Sequence, residues 1–392
     1  MRTSTIQLFV VAALAIASPT ATQALLPAPQ DTARVARNGE PKKDADKVVD
    51  PAADSAREAK RREDRMRAST NRALFAADEP VRFTLVANYG AISRDRDTLS
   101  TKRFAGTIIV ADTSGAERRI PVQLRTRGHF RLLTRNCRFA PVRIDFPDSG
   151  LKGTPFAGQK SLKLGSHCQG DGRFDNYTRR EYLANRLYNV LTDASLRVRM
   201  AQGLYVDSAS GKTVDDRPAL FFENEDEVAR RIGGKIQEWR GAVFDDVHAE
   251  TLLLMAMFEY AIGNTDWSIF ALHNVRLAAL PNSTIMPIAY DFDFSGLVNA
   301  HYAAPDPRMG IKTVRDRLYR GPCLSHEQVQ AAAAHINGKR EALLAEIAAV
   351  PGFSKDEQAQ ALRYLESFFN LMKNPGQVKR TFVDECDRKP GV

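Results

Sequence analysis

No cysteine occurs before Cys137, so the N-terminal region offers no early cysteine for lipid attachment. No two of the four cysteines, Cys137, Cys168, Cys323 and Cys386, have C-x-x-C spacing, and the histidines do not cluster with them, which removes the usual zinc patterns. No apolar run reaches the roughly 20 residues of a membrane-spanning helix, and the one greasy stretch near the start, residues 8–17, is about half that length. Charge of a single sign is missing too. The 56 Lys and Arg residues are interleaved with 47 Asp and Glu, leaving a net +9; that is a solvated mixed-charge surface, not a nucleic-acid footprint. No internal repeat is visible.

The first residues are informative. Arg2 precedes the apolar stretch, and small residues follow with candidate cleavage points after Ala17 and Ala24, the order of a secretory signal. A cleaved signal over residues 1–24 and a secreted or periplasmic product are expected. Four cysteines in an oxidising compartment allow three full pairings. Cys137 with Cys168 and Cys323 with Cys386 are the expected ones, because each pair falls within one region of the chain. Residues 25–75 are rich in Ala, Pro, Asp, Lys and Arg and poor in aromatic and branched apolar residues. Such a segment cannot bury enough surface to offset its ordering entropy, so a disordered charged linker is expected, with a polar helix over 53–72 lacking a core to pack on.

From residue 81 the texture changes. Alternating or short apolar runs at 81–87, 104–110, 120–124, 142–146, 161–164, 198–206 and 218–222 predict strands, separated by turn signals such as Ser114-Gly115 and Ser210-Gly211. Helical spacing over 177–191 predicts one intervening helix. Residues 249–262 predict an almost wholly apolar, buried helix. Strands at 274–278 and 284–290 and amphipathic helices at 325–350 and 354–372 complete the pattern. The expectation is an α+β protein of two lobes, a β-rich one over 78–224 and a helical one over 225–392 carrying the active-site loops, with a cleft between them.

The densest polar cluster sits between apolar elements. The buried helix ends in Gly263-Asn264-Thr265-Asp266-Trp267-Ser268, His273-Asn274 follows, and the later strand runs into Tyr290-Asp291-Phe292-Asp293-Phe294-Ser295-Gly296. Asp266 stands beside a tryptophan, where an unpaired carboxylate is costly. Alternation directs Asp291 and Asp293 to one side, and paired hard oxygens suit Mg²⁺ or Mn²⁺. The same segment copies the first half of an EF-hand loop, but Tyr302 stands where the bidentate Glu belongs and a strand precedes it where a helix should. The bland alternative is that the two carboxylates cap a turn or pair with Arg308 or Arg315.

The order Arg125-Thr126-Arg127-Gly128, Val142-Arg143-Ile144-Asp145-Phe146, Lys160-Ser161-Leu162-Lys163-Leu164, the helix over 179–191, Gly203-Leu204-Tyr205-Val206, Leu220-Phe221-Phe222-Glu223, Gly263-Asn264-Thr265-Asp266 and Tyr290-Asp291-Phe292-Asp293 resembles the CotH-type atypical protein kinases of spore coats. The Gly-Asn-Thr-Asp and Tyr-Asp elements also resemble HipA-type kinases. The resemblance implies a protein-kinase-like fold that transfers the γ-phosphoryl group of ATP to a hydroxyl. It implies Asp266 as catalytic base or acceptor-orienting group, Asn274 and Asp291 as metal ligands for Mg²⁺ or Mn²⁺, and Asp293 as an accessory ligand. Lys163, paired with Glu223, would reach the nucleotide phosphates, with Arg127 nearby. Lys163 also reads as a solvent-facing lysine of an alternating strand, Glu223 as one of several acids at a helix start, and Arg125 and Arg127 as cross-strand ion-pair partners. Two departures stand out: Asp266 and Asn274 are eight positions apart, where the kinase pattern has about five, and the lysine expected before the Arg-Ile-Asp-Phe strand is missing, with Arg138 nearest.

The leading functional expectation is therefore a secreted, metal-dependent phosphotransferase acting on a protein or small-molecule hydroxyl. Its rivals are an inactive kinase-like binding or envelope-associated module and a metal-dependent hydrolase using the same carboxylates. The acceptor and the oligomeric state carry no sequence signature.

Overall fold

The computed structural model describes residues 51–386, with side chains from residue 56. The expected signal segment 1–24 and the linker up to residue 50 lie outside the described residues. Helix α1, Pro51–Thr70, is followed by β1, Val81–Ala87; α2, Tyr89–Arg94; β2, Phe104–Ala111; β3, Glu117–Thr126; β4, Val142–Asp145; β5, Ser161–Gly165; α3, Arg173–Leu191; β6, Val198–Asp207; and β7, Thr213–Phe222. Then come α4, Glu225–Arg231; β8, Lys235–Gln237; α5, Ala249–Ile262; β9, Val275–Ala279; β10, Ile285–Ala289; α6, His326–Gly338; α7, Arg340–Ala349; α8, Lys355–Met372; and α9, Pro375–Lys379.

The first seven strands close into a barrel in the order β1-β2-β3-β4-β5-β7-β6. Every pairing is antiparallel except that of β1 with β6, which runs parallel from Val81 opposite Ala201 to Ala87 opposite Asp207 and completes the ring. Closure gives each of the seven strands a partner on both sides over at least part of its length. Alternation then sorts the side chains. Ile120, Val122 and Leu124 of β3, Val142 and Ile144 of β4, and Leu162 and Leu164 of β5 fill the interior. The intervening positions carry Arg125, Arg143 and Lys163, with Arg143 directly opposite each of the other two on its neighbouring strands. Strands β6 and β7 are apolar on both faces. Tyr205, Ala219 and Phe221 join the barrel interior, while Val198, Met200, Leu220 and Phe222 join a second core with α3, α5 and the C-terminal helices.

These findings correct the expected two-lobed, protein-kinase-like α+β fold. The strands make a closed, mixed seven-stranded barrel, the helices gather mostly in the C-terminal part and share a core with the barrel's own strands, and the chain from Pro51 onward forms one compact unit. Alternation specifies which face of a strand is buried but not which strand it pairs with, so the closing contact between residues 81–87 and 201–207 has no local signature.

A separate antiparallel sheet, β10-β9-β8, packs beside α5. The helix expected over 325–350 is two helices, α6 and α7, broken where Gly338, a poor helix former, meets Lys339. Both expected disulfides are formed, Cys137–Cys168 and Cys323–Cys386, and they fit an oxidising compartment. Among the described residues, no helix is long and apolar enough to cross a membrane.

Candidate active site

The turn carrying Asp266 is held from several directions. Gly263 ends α5 with φ of 68°, and a Cβ there would come within 2.1 Å of the Tyr364 hydroxyl, so only glycine fits. The Arg320 guanidinium donates to the carbonyls of Thr265 at 2.6 Å and Trp267 at 2.8 Å, and Trp267 is buried against it. Asp266 itself remains accessible, with 40% of its side chain exposed. Its Oδ1 lies 2.9 Å from His273 Nε2, and its Oδ2 accepts from Asn274 Nδ2 at 3.1 Å. The Asp266 hydrogen bond raises the His273 pKa above the ordinary imidazole value.

The long Asp266–Asn274 spacing is absorbed locally. Ser268 and His273 bond to each other through their backbones at 2.9 and 3.0 Å, folding the intervening residues into a tight excursion. Leu272 and Asn274 take left-handed φ values of 50° and 52°, and Asp291 one of 66°. Backbone strain at non-glycine residues concentrates at functional sites, and here it falls on two of the proposed site residues.

Asp291 follows β10, and the Tyr290 amide donates to the Asn274 carbonyl at 3.0 Å, which sets the two loops side by side. Burial, reinforced by Asp293, pushes the Asp291 pKa up to about 6 against the pull of Arg131, Arg127 and Lys163. Phe292 packs into the second core. Asp293 is occupied, accepting from Arg131 at 2.7 Å and from the Tyr302 hydroxyl at 3.1 Å. Arg131 also lies 3.7 Å from Glu181, a carboxyl of α3 whose pKa burial pushes up to about 8. The carboxylates thus face Arg131, whereas Arg308 pairs with Asp306 and Arg315 donates to the Gly296 carbonyl.

Lys163 points from β5 toward the same place. It pairs with Glu225, the first residue of α4, and sits 4.7 Å over the Tyr290 ring. Burial lowers its pKa, with Glu225 opposing. The expected partner Glu223 is corrected: it lies buried between Arg197 at 2.7 Å and Arg231 at 3.1 Å, on the other side of the Asn224 cap. Arg127 carries a buried Nε without a hydrogen-bond partner, and burial lowers its pKa with Asp291 opposing. Arg125 is spent on Asp145, but Arg143 has no hydrogen-bond or ion-pair partner among the described residues. Arg131, Glu181, Arg143 and Glu225 were not singled out from the sequence. The one signal available for Glu181 was its phase: it lies on the α3 stripe that buries Thr178, Tyr182 and Asn185.

A cavity of about 530 Å³ opens beside Asp266 and His273, walled by Phe270, Phe294, Met309 and Arg320 among others. Among the described residues, no group of three or more His, Cys, Asp or Glu is arranged to hold a metal ion by itself. No protein-family model matches the chain, and no curated protein matches it.

Proposed function

We propose that this chain is an exported phosphotransferase that moves the γ-phosphoryl group of ATP onto a hydroxyl of a protein or small molecule. The observation that carries the proposal is the meeting of two half-sites: cations with unspent donors, Arg127, Arg143 and Lys163, beside Asp291, and an accessible Asp266 clamped by His273 and Asn274. Part-buried cations lacking a full set of partners are suited to an anionic ligand. The motif order shared with CotH-type kinases supports the same reading, as do the disulfides, which suit the export expected of residues 1–24.

The donors suit a divalent ion that arrives with phosphates. Asp291 has no ion-pair partner within 4 Å among the described residues, and Asn274 uses its amide nitrogen on Asp266, leaving the side-chain oxygen open. Mg²⁺ typically takes one or two protein oxygens plus phosphate and water, so Asp291 and Asn274 would hold Mg²⁺ or Mn²⁺ without a full protein cage. When bound, the ion supplies neutralisation of the phosphate charge. Arg127, Arg143 and Lys163 bind phosphate oxygens, with Glu225 and Tyr290 fixing the lysine's direction. The acceptor enters by the 530 Å³ cavity. As its oxygen bonds to the γ-phosphorus, the bond to the bridging oxygen of the β-phosphate breaks and ADP leaves. The hydroxyl proton passes to the Asp266–His273 pair.

Incubating the protein with labelled ATP and Mg²⁺ or Mn²⁺ tests the reading. Binding with transfer of label to the protein or an added acceptor is expected. Binding without transfer identifies an inactive module, and no binding refutes the proposal.

A further inference from the structure

Helix α4 spans only Glu225–Arg231, and two of its three carboxylates, Glu225 and Glu227, reach in different directions. Glu225 pairs with Lys163 of the barrel. Glu227 reaches α1, where Ser69 Oγ donates to it at 2.7 Å and Arg72, just beyond the helix, grips it through Nε at 3.1 Å and Nη2 at 2.9 and 3.0 Å. Its remaining partner is Arg230 of its own helix. The end of α1 is held a second time, because Arg197 donates to the carbonyls of Ser69 and Thr70 at 2.7 Å each. A helix this short is not stable by itself, so its position is set by what it touches. At its far end, Arg231 ties it to Glu223 and to the carbonyls of Asp193 and Ser195. Val228 and Ala229 anchor the middle of the helix in the second core; the direction of its first turn, which presents Glu225, is set by the grip on Glu227.

We infer that the C-terminal end of α1, through Ser69 and Arg72 on Glu227, is a clamp that positions α4 and so holds Glu225 against Lys163, making the segment before the barrel a regulator of the site. The regulatory consequence rests on the phosphotransferase reading; the mechanical coupling does not. Docked, α1 keeps Lys163 aimed at the phosphate position. Undocked, α4 pivots about its Arg231 end, Glu225 withdraws, and Lys163 loses both direction and shielding. Ser69 and Arg72 are positioning residues, remote from the reacting atoms.

The full chain carrying Ser69→Ala and Arg72→Gln tests this, with Ser69→Ala alone as a milder variant and Arg72→Lys as the conservative one. Three readouts are compared with melting curves on the same preparations: amide exchange of residues 225–231, labelling of Lys163 by an amine-reactive ester read by mass spectrometry, and affinity for labelled ATP with Mn²⁺. In the double variant Lys163 labelling is expected to rise, and nucleotide affinity to fall, by about 5- to 10-fold, the low end of coupling between sites. Arg72→Lys is expected to recover part of both. Unchanged Lys163 labelling in a folded double variant overturns the clamp, whatever the nucleotide does. Failure of the unsubstituted protein to bind nucleotide overturns the phosphotransferase reading, and the regulatory role with it, while the labelling result still decides the coupling.

Discussion

Asn274 holds Asp266 at two points with one amide group: Nδ2 donates to the Asp266 carbonyl at 2.7 Å and to its carboxylate at 3.1 Å. The remaining carboxylate oxygen is left for His273. One side chain therefore sets both the backbone and the rotamer of the proposed base. Asp266→Asn should lower the His273 pKa toward the ordinary imidazole value, since the hydrogen bond to the carboxylate is the largest cause of its rise. Asn274→Ala, which releases the Asp266 rotamer but keeps its carboxylate, should lower it less. Titration of His273 by NMR in both variants checks the assignment.

Asp291→Asn should weaken Mn²⁺ binding in the presence of nucleotide more than Asp266→Asn does. Asp291 is a half-buried carboxylate without an ion-pair partner among the described residues, whereas Asp266 is satisfied by His273 and Asn274. Calorimetric titration decides, and equal, negligible effects would make both carboxylates structural.

Replacing Cys137 and Cys168 by alanine should cost about 2–5 kcal/mol of stability and loosen the site as well. The bridge tethers the segment between β3 and β4, which carries Arg131, the residue joining Asp293 and Glu181. Mass mapping of the unreduced protein should show Cys137–Cys168 and Cys323–Cys386. Thermal melts of the double variant should show the loss, and an unchanged melting temperature would contradict it.

Glu259 gives a pH signature. It is buried in α5, and burial raises its pKa from 4.5 to about 8, with the neighbouring Asn264 side chain opposing. The folded chain thus keeps a proton that the unfolded chain releases, so this group's contribution to stability falls as pH rises through the window from 4.5 to about 8. Glu259→Gln should stabilise the protein by a few kcal/mol at pH 8 and little at pH 4. Chemical denaturation of both proteins across that range measures the difference, and a pH-independent difference would refute it.

Much of the site lay open to sequence reading because it is local. Gly263 must end a helix, Asp266 follows at once, and Asp291 and Asp293 follow a strand whose alternation is plain. The strands themselves follow from their period of two. What escaped depends on contacts between distant segments. The parallel union of β1 with β6 turns the expected β-rich lobe into a barrel. Lys163 takes Glu225 and not Glu223, because Asn224 caps α4 and the chain changes direction between the two acids. Arg131 lies in an irregular segment with no periodicity to mark it, and its two carboxylates come from α3 and the loop after β10. The polar segment before the barrel, expected to lack a core, docks on Glu227 of α4 through the Ser69 hydrogen bond and the Arg72 ion pair, not through an apolar stripe that a pattern search would register.

The most direct test of the central claim is single-turnover transfer of labelled phosphate by Asp266→Asn beside the unsubstituted protein, with nucleotide affinity and melting temperature measured on the same preparations. Asparagine keeps the volume and the contact with Asn274 but cannot take the acceptor's proton. Transfer should slow by about 10²- to 10⁴-fold, the usual loss for a general base, while nucleotide affinity and melting temperature hardly move. A variant that melts earlier yet transfers phosphate at the unsubstituted rate would contradict the account and leave Asp266 a structural residue of the helix end.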